Sequence, residues 1–249
     1  GDVYKRQIHM LIVDAAPGAR PDPEASTKST VRLMQYVKDD GSIKKSGIEA
    51  ILTAVDQCME LAEEYDITQL LAMATSAIKE APNSNKILRK IEERIGQSVT
   101  VLSGTDEARL TFLAARRWYG WDAGRLLMLD IGGSSLEVAM GSDEEPTVAL
   151  SAAAGACRIT REYLPEGTAS VDELEVVRKK VRRILEPMVD AFPKSKHPAH
   201  AVGTSKMFRS LARLAGAVLR QSGREDTWIM TREPVSYTHL RAHETCADL

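Results

Sequence analysis

Asp130-Ile131-Gly132-Gly133-Ser134-Ser135 stands between two apolar runs, and its residue types suit a phosphate. Glycines let successive backbone N–H groups converge on an anion without a Cβ in the way, and the two hydroxyls add donors. A carboxylate ending the preceding strand holds Mg2+ through oxygen or water, which offsets phosphate charge. The competing reading is a plain hairpin turn, for which Gly-Gly-Ser is common chemistry. A Walker loop and a dinucleotide fingerprint are both excluded, because the Lys-Ser/Thr is missing and the flanks read as strands. Gly132, Gly133, Ser134 and Ser135 are therefore candidate phosphate ligands, with Asp130 the candidate metal ligand.

Three further segments have the grammar of a strand turning into a helix. In SGTDEAR at 103–109, a helix N-terminus offers N–H donors and a positive dipole end, and Glu107 is placed to deprotonate a water. The alternative is that Asp106 and Glu107 only stabilise the first turn. In Thr75-Ser76 with Lys79, hydroxyls and a cation leave the carboxyl end of an apolar run, where open α/β sheets place ligands. Gly203-Thr204-Ser205 repeats that pattern as a second phosphate-facing turn. A helix cap is the bland reading of both. The basic run at 178–183 lies among acids and reads as a solvated helix with acids early and bases late.

The elements that must hold these segments alternate. Residues 9–13, 70–74 and 99–102 read as strands; 47–65, 87–95 and about 105–119 repeat apolar residues at helical spacing. After residue 125 come strands at 126–129, 136–140 and 147–150, helices near 156–164 and 171–185, a strand at 199–202 and a helix from 206 to about 217. Residues 26–37 fit either element. Pro82-Asn83-Ser84 is expected to cap the helix after it, Pro187 to end or kink the longest one, and Pro146 to mark an edge strand. This pattern predicts a layered α/β protein, with a domain break in the glycine-rich stretch 120–124.

Composition excludes several classes. The chain has 249 residues, 43% apolar, with 33 basic and 35 acidic side chains and a net charge of -2, as in a folded globular protein. That balance argues against bulk nucleic-acid binding, and the sequence has no apolar run of the ~18 residues that span a bilayer. Cys58, Cys157 and Cys246 form neither a disulfide framework nor a CxxC zinc site, so a reducing, cytoplasmic setting is expected. Residues 1–7 and 235–249 do not continue the neighbouring periodicity and resemble translated adaptor sequence. The His239, His243 and Glu244 spacing in the second stretch is accordingly set aside as a metal pair.

In order along the chain, ATSAIKEAPN (74–83), SGTDEARLTFLA (103–114), LDIGGSSLE (129–137), GACRITREYL (155–164) and VGTSKMFRSLARL (202–214) resemble the exopolyphosphatase / guanosine pentaphosphate phosphohydrolase (Ppx/GppA) family. The likeness runs from residue 9 to about 233 and is nearest the short, two-domain actinobacterial type. It implies an actin-like ATPase fold of two ribonuclease H-like domains, 8–120 and 121–234, with a phosphate-binding cleft between them. It also implies Mg2+-dependent release of terminal orthophosphate from inorganic polyphosphate and, in some members, conversion of pppGpp to ppGpp. Neither nucleic acid nor membrane is expected as a partner, and a homodimer fits the family.

By motif match, Glu107 corresponds to the family's catalytic glutamate, which activates the attacking water. Asp130 with Gly132, Gly133, Ser134 and Ser135 corresponds to its second phosphate and Mg2+ loop. Thr75, Ser76 and Lys79 stand where the family has a phosphate-contacting arginine. Three departures bear on activity. The family's first phosphate loop, Asp-x-Gly-Ser-Asn-Thr, is expected just before His9, where VYKRQ stands. Ser134 replaces the usual third glycine, which requires a negative φ there. Lys79 supplies a point charge in place of a bidentate arginine. The expectation is a poorly active chain until the first loop is restored. A non-catalytic polyphosphate or alarmone sensor and a sugar or acetate kinase of the same superfamily are the alternatives.

Overall fold

The computed structural model describes residues 6–14, 23–31, 33–74, 76–79, 81–164, 169–193, 197–214, 218–222 and 225–229. They cluster into two compact units, one of Tyr4–Leu102 and one built from Ser103–Leu249.

In the first unit, β1 (Arg6–Val13) pairs antiparallel with β2 (Pro23–Val31), which resolves the ambiguous stretch at 26–31 as strand. Helix α1 (Lys45–Glu64) follows, burying Ile48, Ile51, Ala54, Val55 and Ala62 along one stripe, as the apolar spacing predicts. The strand expected at 70–74 shrinks to β3 (Met73–Ala74), with Leu71 71% exposed. A short α2 (Ser76–Lys79) and then α3 (Ser84–Ile95) come next; α3 stops at Gly96, whose φ of 73° only glycine adopts readily. Asn83 does not cap α3. Its amide instead clamps the backbone of Ile43, donating to the carbonyl at 2.8 Å and accepting from the N–H at 3.0 Å. β4 (Thr100–Val101) pairs parallel with β3. The core of this unit gathers Val31, Ile43, Ile51, Ile87 and Ile91.

The second unit starts with α4 (Gly104–Tyr119), capped by Ser103. Its sheet contains β5 (Leu126–Ile131), β6 (Leu136–Gly141) and β7 (Val148–Ala152) as an antiparallel meander. Helices α5 (Ala156–Tyr163) and α6 (Val171–Asp190) lead to β8 (His200–Gly203), which pairs parallel with β5 and gives the order β7-β6-β5-β8. Pro187 falls inside α6, which continues to Asp190 with Met188 buried beyond it. Then come α7 (Lys206–Leu214) and the hairpin of β9 (Val218–Ser222) with β10 (Glu225–Ile229).

α4 belongs to this second unit, so the units divide at 102/103 and not in the 120–124 stretch expected from glycine content. The reason is packing. Ala108, Phe112 and Ala115 of α4 share one buried cluster with Leu126, Met128 and Ala139 of the sheet. Arg116, 2% exposed, ties the intervening turn down through the carbonyls of Gly124 and Trp121.

Candidate functional site

Strand alternation places the site. Leu126 and Met128 face α4, so Asp130, two residues on, faces the same side. Its direct cross-strand partner is Glu137, whose own partner on β7 is Ser151. On the other side of β5, the hydroxyl of Thr204 donates to Asp130 Oδ2 at 2.9 Å, while Ser151 Oγ donates to Glu137 Oε1 at 2.9 Å. One polar row, Ser151–Glu137–Asp130–Thr204, therefore crosses the sheet next to the apolar rows that α4 covers.

The start of α4 meets that row. A Cβ on Gly104 would collide with the side chain of Ser151, so glycine lets the helix N-terminus press onto β7. Glu107 lies one turn into this helix and is half-buried. The first turn is held by a reciprocal box between Ser103 and Asp106, with hydroxyl-to-carboxylate distance 2.6 Å and the Asp106 N–H returning to Ser103 Oγ at 3.1 Å. Asp106 thus stabilises the first turn through its bonds with Ser103.

Burial pushes the Asp130 carboxyl above the ordinary carboxylate range, against the opposing pull of the Thr204 hydroxyl. Glu137, 5% exposed, is likewise pushed up by burial; its bonds from Ser135 and Ser151 oppose this, and the Asp130 charge adds to it. Two acids directly opposite on one face repel when both are ionised. Such a pair calls for a shared proton or a cation.

The loop at 132–135 is a hairpin, closed by the Gly132 N–H on the Ser135 carbonyl at 2.9 Å. Its carbonyls are taken by the start of α5: Gly132 by the Ala156 N–H at 2.9 Å, Gly133 by that of Arg158 at 3.0 Å, and Ser134 by that of Gly155 at 3.2 Å. Arg158 Nε adds a bond to the Ser134 carbonyl at 2.9 Å. In a trans peptide the N–H points opposite its carbonyl, so the amides of Gly133, Ser134 and Ser135 are turned away from α5. Three consecutive amides on one side make an anion nest. Ser134 does not have a positive φ, so the serine in the third glycine position is unstrained.

A model of the Ppx/GppA phosphatase family matches residues 11–238. The chain belongs to the Ppx/GppA phosphatase family. Exopolyphosphatase 1 of Mycobacterium tuberculosis is 44% identical over 223 residues, 89% of this chain and 64% of that one, and Exopolyphosphatase 1 of Mycobacterium leprae is 42% identical over 89% and 66%. The chain thus spans about two thirds of the length of these relatives. Among solved structures, an exopolyphosphatase from Cytophaga hutchinsonii superposes with a TM-score of 0.73 at 23% identity, covering 85% of this chain and 67% of that chain. The PPX-GPPA enzyme of Aquifex aeolicus gives 0.70 at 20% identity, over 86% and 68%. The α/β fold of these two structures is accordingly that of this chain.

Within the Ppx/GppA frame, the sequence-derived candidates fall into two groups. Asp130, Gly132, Gly133, Ser134, Ser135 and Thr204 lie together around the β5–β6 hairpin, and Glu107 lies on the helix packed beside the row. Gly203 precedes Thr204 and is needed for packing, since a Cβ there would strike the Phe208 ring. Ser76 and Lys79 belong to the Tyr4–Leu102 unit, on α2, with Lys79 exposed; Thr75 lies outside the described residues, as do His239, His243 and Glu244. Sequence reasoning missed Glu137, Ser151 and Gly155. Glu137 was legible in principle: a four-residue hairpin loop after Ile131 pairs residue 130 with 137. Gly155 was not, because its need for glycine comes from the backbone of Gly133–Ser135, which a Cβ would strike.

Proposed function

We propose that this chain carries the catalytic core of an exopolyphosphatase-type phosphohydrolase, releasing terminal orthophosphate from inorganic polyphosphate, with pppGpp as a second substrate of the same chemistry. The observation that carries the reading is the cross-strand Asp130–Glu137 pair beside a loop whose amides are turned outward. The names of the mycobacterial relatives support it.

The donor set suits Mg2+. Among the described residues no group of three or more His, Cys, Asp or Glu side chains forms a metal cluster, which disfavours an all-protein zinc cage. Two carboxylates with neighbouring hydroxyls match the way Mg2+ is held, by one or two acids with water and phosphate oxygens completing the shell. Asp130 and Glu137 would hold it, and when bound it supplies positive charge to the terminal phosphoryl group. The amides of Gly133, Ser134 and Ser135 bind and orient the phosphate oxygens, with Thr204 fixing the Asp130 carboxylate. Glu107 takes a proton from the attacking water; its oxygen bonds to the terminal phosphorus, the anhydride P–O bond breaks, and the shortened chain leaves with the bonding pair.

Orthophosphate release from polyphosphate with Mg2+ tests this. Glu107→Gln is expected to lower turnover by about 10²- to 10⁴-fold while polyphosphate binding persists. Asp130→Asn is expected to remove the Mg2+ dependence of binding. Binding without turnover that persists once the Asp-x-Gly-Ser-Asn-Thr loop is restored ahead of His9, unchanged by Glu107→Gln, would replace the enzyme with a sensor. Transfer to a sugar or acetate would replace it with a kinase.

A further inference from the structure

The loop carbonyls that end on α5 are not held alike. Those of Gly132 and Gly133 each take a backbone amide, at 2.9 and 3.0 Å. That of Ser134 takes the longest of the three, from Gly155 at 3.2 Å, and in addition the Nε of Arg158 at 2.9 Å. Arg158 therefore grips two successive peptide groups, the one between Gly133 and Ser134 with its own N–H and the one between Ser134 and Ser135 with its side chain. That side chain is 21% exposed, and its Nη1 lies 3.6 Å from Glu162 Oε1, one turn along α5. A partly exposed ion pair of this spacing contributes little to stability, so it does not account for an arginine set against the loop. The bond to Ser134 does. The carbonyl of Ser134 and the N–H of Ser135 belong to one planar, conjugated peptide and point opposite ways. A cation bonded to the carbonyl fixes the tilt of that plane and draws electron density through it, which makes the N–H on the far side a stronger donor.

We propose that Arg158 is a positioning residue for bound phosphate: from the carbonyl side of the loop it aims and strengthens the Ser135 amide that meets the anion. The inference rests on the reading of the β5–β6 loop as a phosphate nest. A lysine would bring the charge without the planar Nε–H that lies along the carbonyl, which is why the residue type matters. The competing role is a plain brace between loop and helix. A brace acts on all three amides together, whereas a guanidinium acting through Ser134 acts on Ser135 first, because the Ala156 and residue-158 backbone amides still hold the other two carbonyls when the side chain is replaced.

The probe is inorganic orthophosphate with Mg2+, titrated into the full chain and followed by the amide proton and nitrogen resonances of Gly133, Ser134 and Ser135. All three are expected to shift in the wild type. Arg158→Met keeps an unbranched stem for packing and removes every donor. It is expected to raise the phosphate Kd about tenfold, as loss of a hydrogen bond from a charged group implies, and to shrink the Ser135 shift while the Gly133 shift persists. Arg158→Ala leaves room for a small cation, so millimolar ethylguanidinium is expected to restore most of its lost affinity and the Ser135 shift, and ethylammonium to restore neither. Equal shrinkage at all three amides, with no rescue by ethylguanidinium, would make Arg158 a brace and overturn the proposal. So would wild-type shifts and affinity that Arg158→Met leaves intact, and this result would spare the phosphate reading of the loop. No shift at any of the three amides in the wild type would overturn that reading and the role of Arg158 with it.

Discussion

Asp130 and Glu137 face each other across neighbouring strands, with burial raising both carboxyls and the Asp130 charge raising Glu137 further. A carboxyl with a raised folded pKa holds its proton more tightly in the folded chain than in the unfolded one. The stability it contributes is complete below the ordinary carboxylate range and is lost as pH rises through the raised values. Asp130→Asn retains an acceptor for Thr204 and removes one of the two charges. It is expected to raise Tm at pH 8 in the absence of divalent ions by about 2–4 °C, as relief of about 1 kcal/mol of repulsion implies, and to have no effect at pH 4. Scanning calorimetry at the two pH values checks this, and an equal loss of Tm at both would show that the carboxylate is wanted for its hydrogen bond alone. The cation follows the same sign. Millimolar Mg2+ is expected to raise the wild-type Tm more at pH 8 than at pH 5, where protons compete for the same oxygens, and to leave Asp130→Asn unmoved.

The β5–β6 hairpin and the start of α5 act as one element pair, because three loop carbonyls end on α5 amides. Gly155 has φ -70° and ψ 153°, which any residue adopts, yet its missing Cβ is what lets the loop backbone lie against the helix. Gly155→Ala is therefore expected to cost about 1–3 kcal/mol by overpacking and to weaken phosphate binding at the same time. Gly96→Ala is the contrast: it meets nothing within 4 Å but sits at φ 73°, so its cost of roughly 1 kcal/mol is backbone strain and phosphate binding stays intact. Denaturant melts and phosphate titrations on the two variants separate these causes. The sequence displays the loop glycines, the strand-to-helix turn at 103–109 and the apolar run of β5, all of which are local patterns. Glu137 follows from the hairpin length once the β5–β6 turn is recognised, but longer-range register and interlayer contact are not local, so Ser151 and Gly155 emerge only when β7 is paired and α5 is laid on the loop. The strand expected at 70–74 shortens to Met73–Ala74 for a related reason: an apolar run predicts burial, and Leu71 is largely exposed.

At the scale of the molecule, each unit has its own buried core among the described residues: around Ile43, Ile51 and Ile87 in the first, with a smaller cluster of Met10, Ile12 and Ala62, and around Phe112, Leu126 and Met128 in the second. The boundary between them was hidden from sequence, because the apolar stripe of residues 108, 112 and 115 fits a sheet before it as well as one after it. Chains with two cores depart from all-or-none unfolding. The first unit has two-stranded sheets and a large cavity, while the second has a continuous four-stranded sheet under α4. Two thermal transitions are expected, the lower from the first unit. Ile51, 1% exposed, and Phe112, fully buried, assign them: Ile51→Ala is expected to lower the first transition and Phe112→Ala the second, each by about 2–5 kcal/mol. Mg2+ with phosphate is expected to move the transition that Phe112→Ala moves, because Asp130 and Glu137 sit on the sheet that Phe112 covers. A single transition shifted equally by both substitutions would mean that the cores melt as one, and Mg2+ with phosphate would then report on no unit of its own.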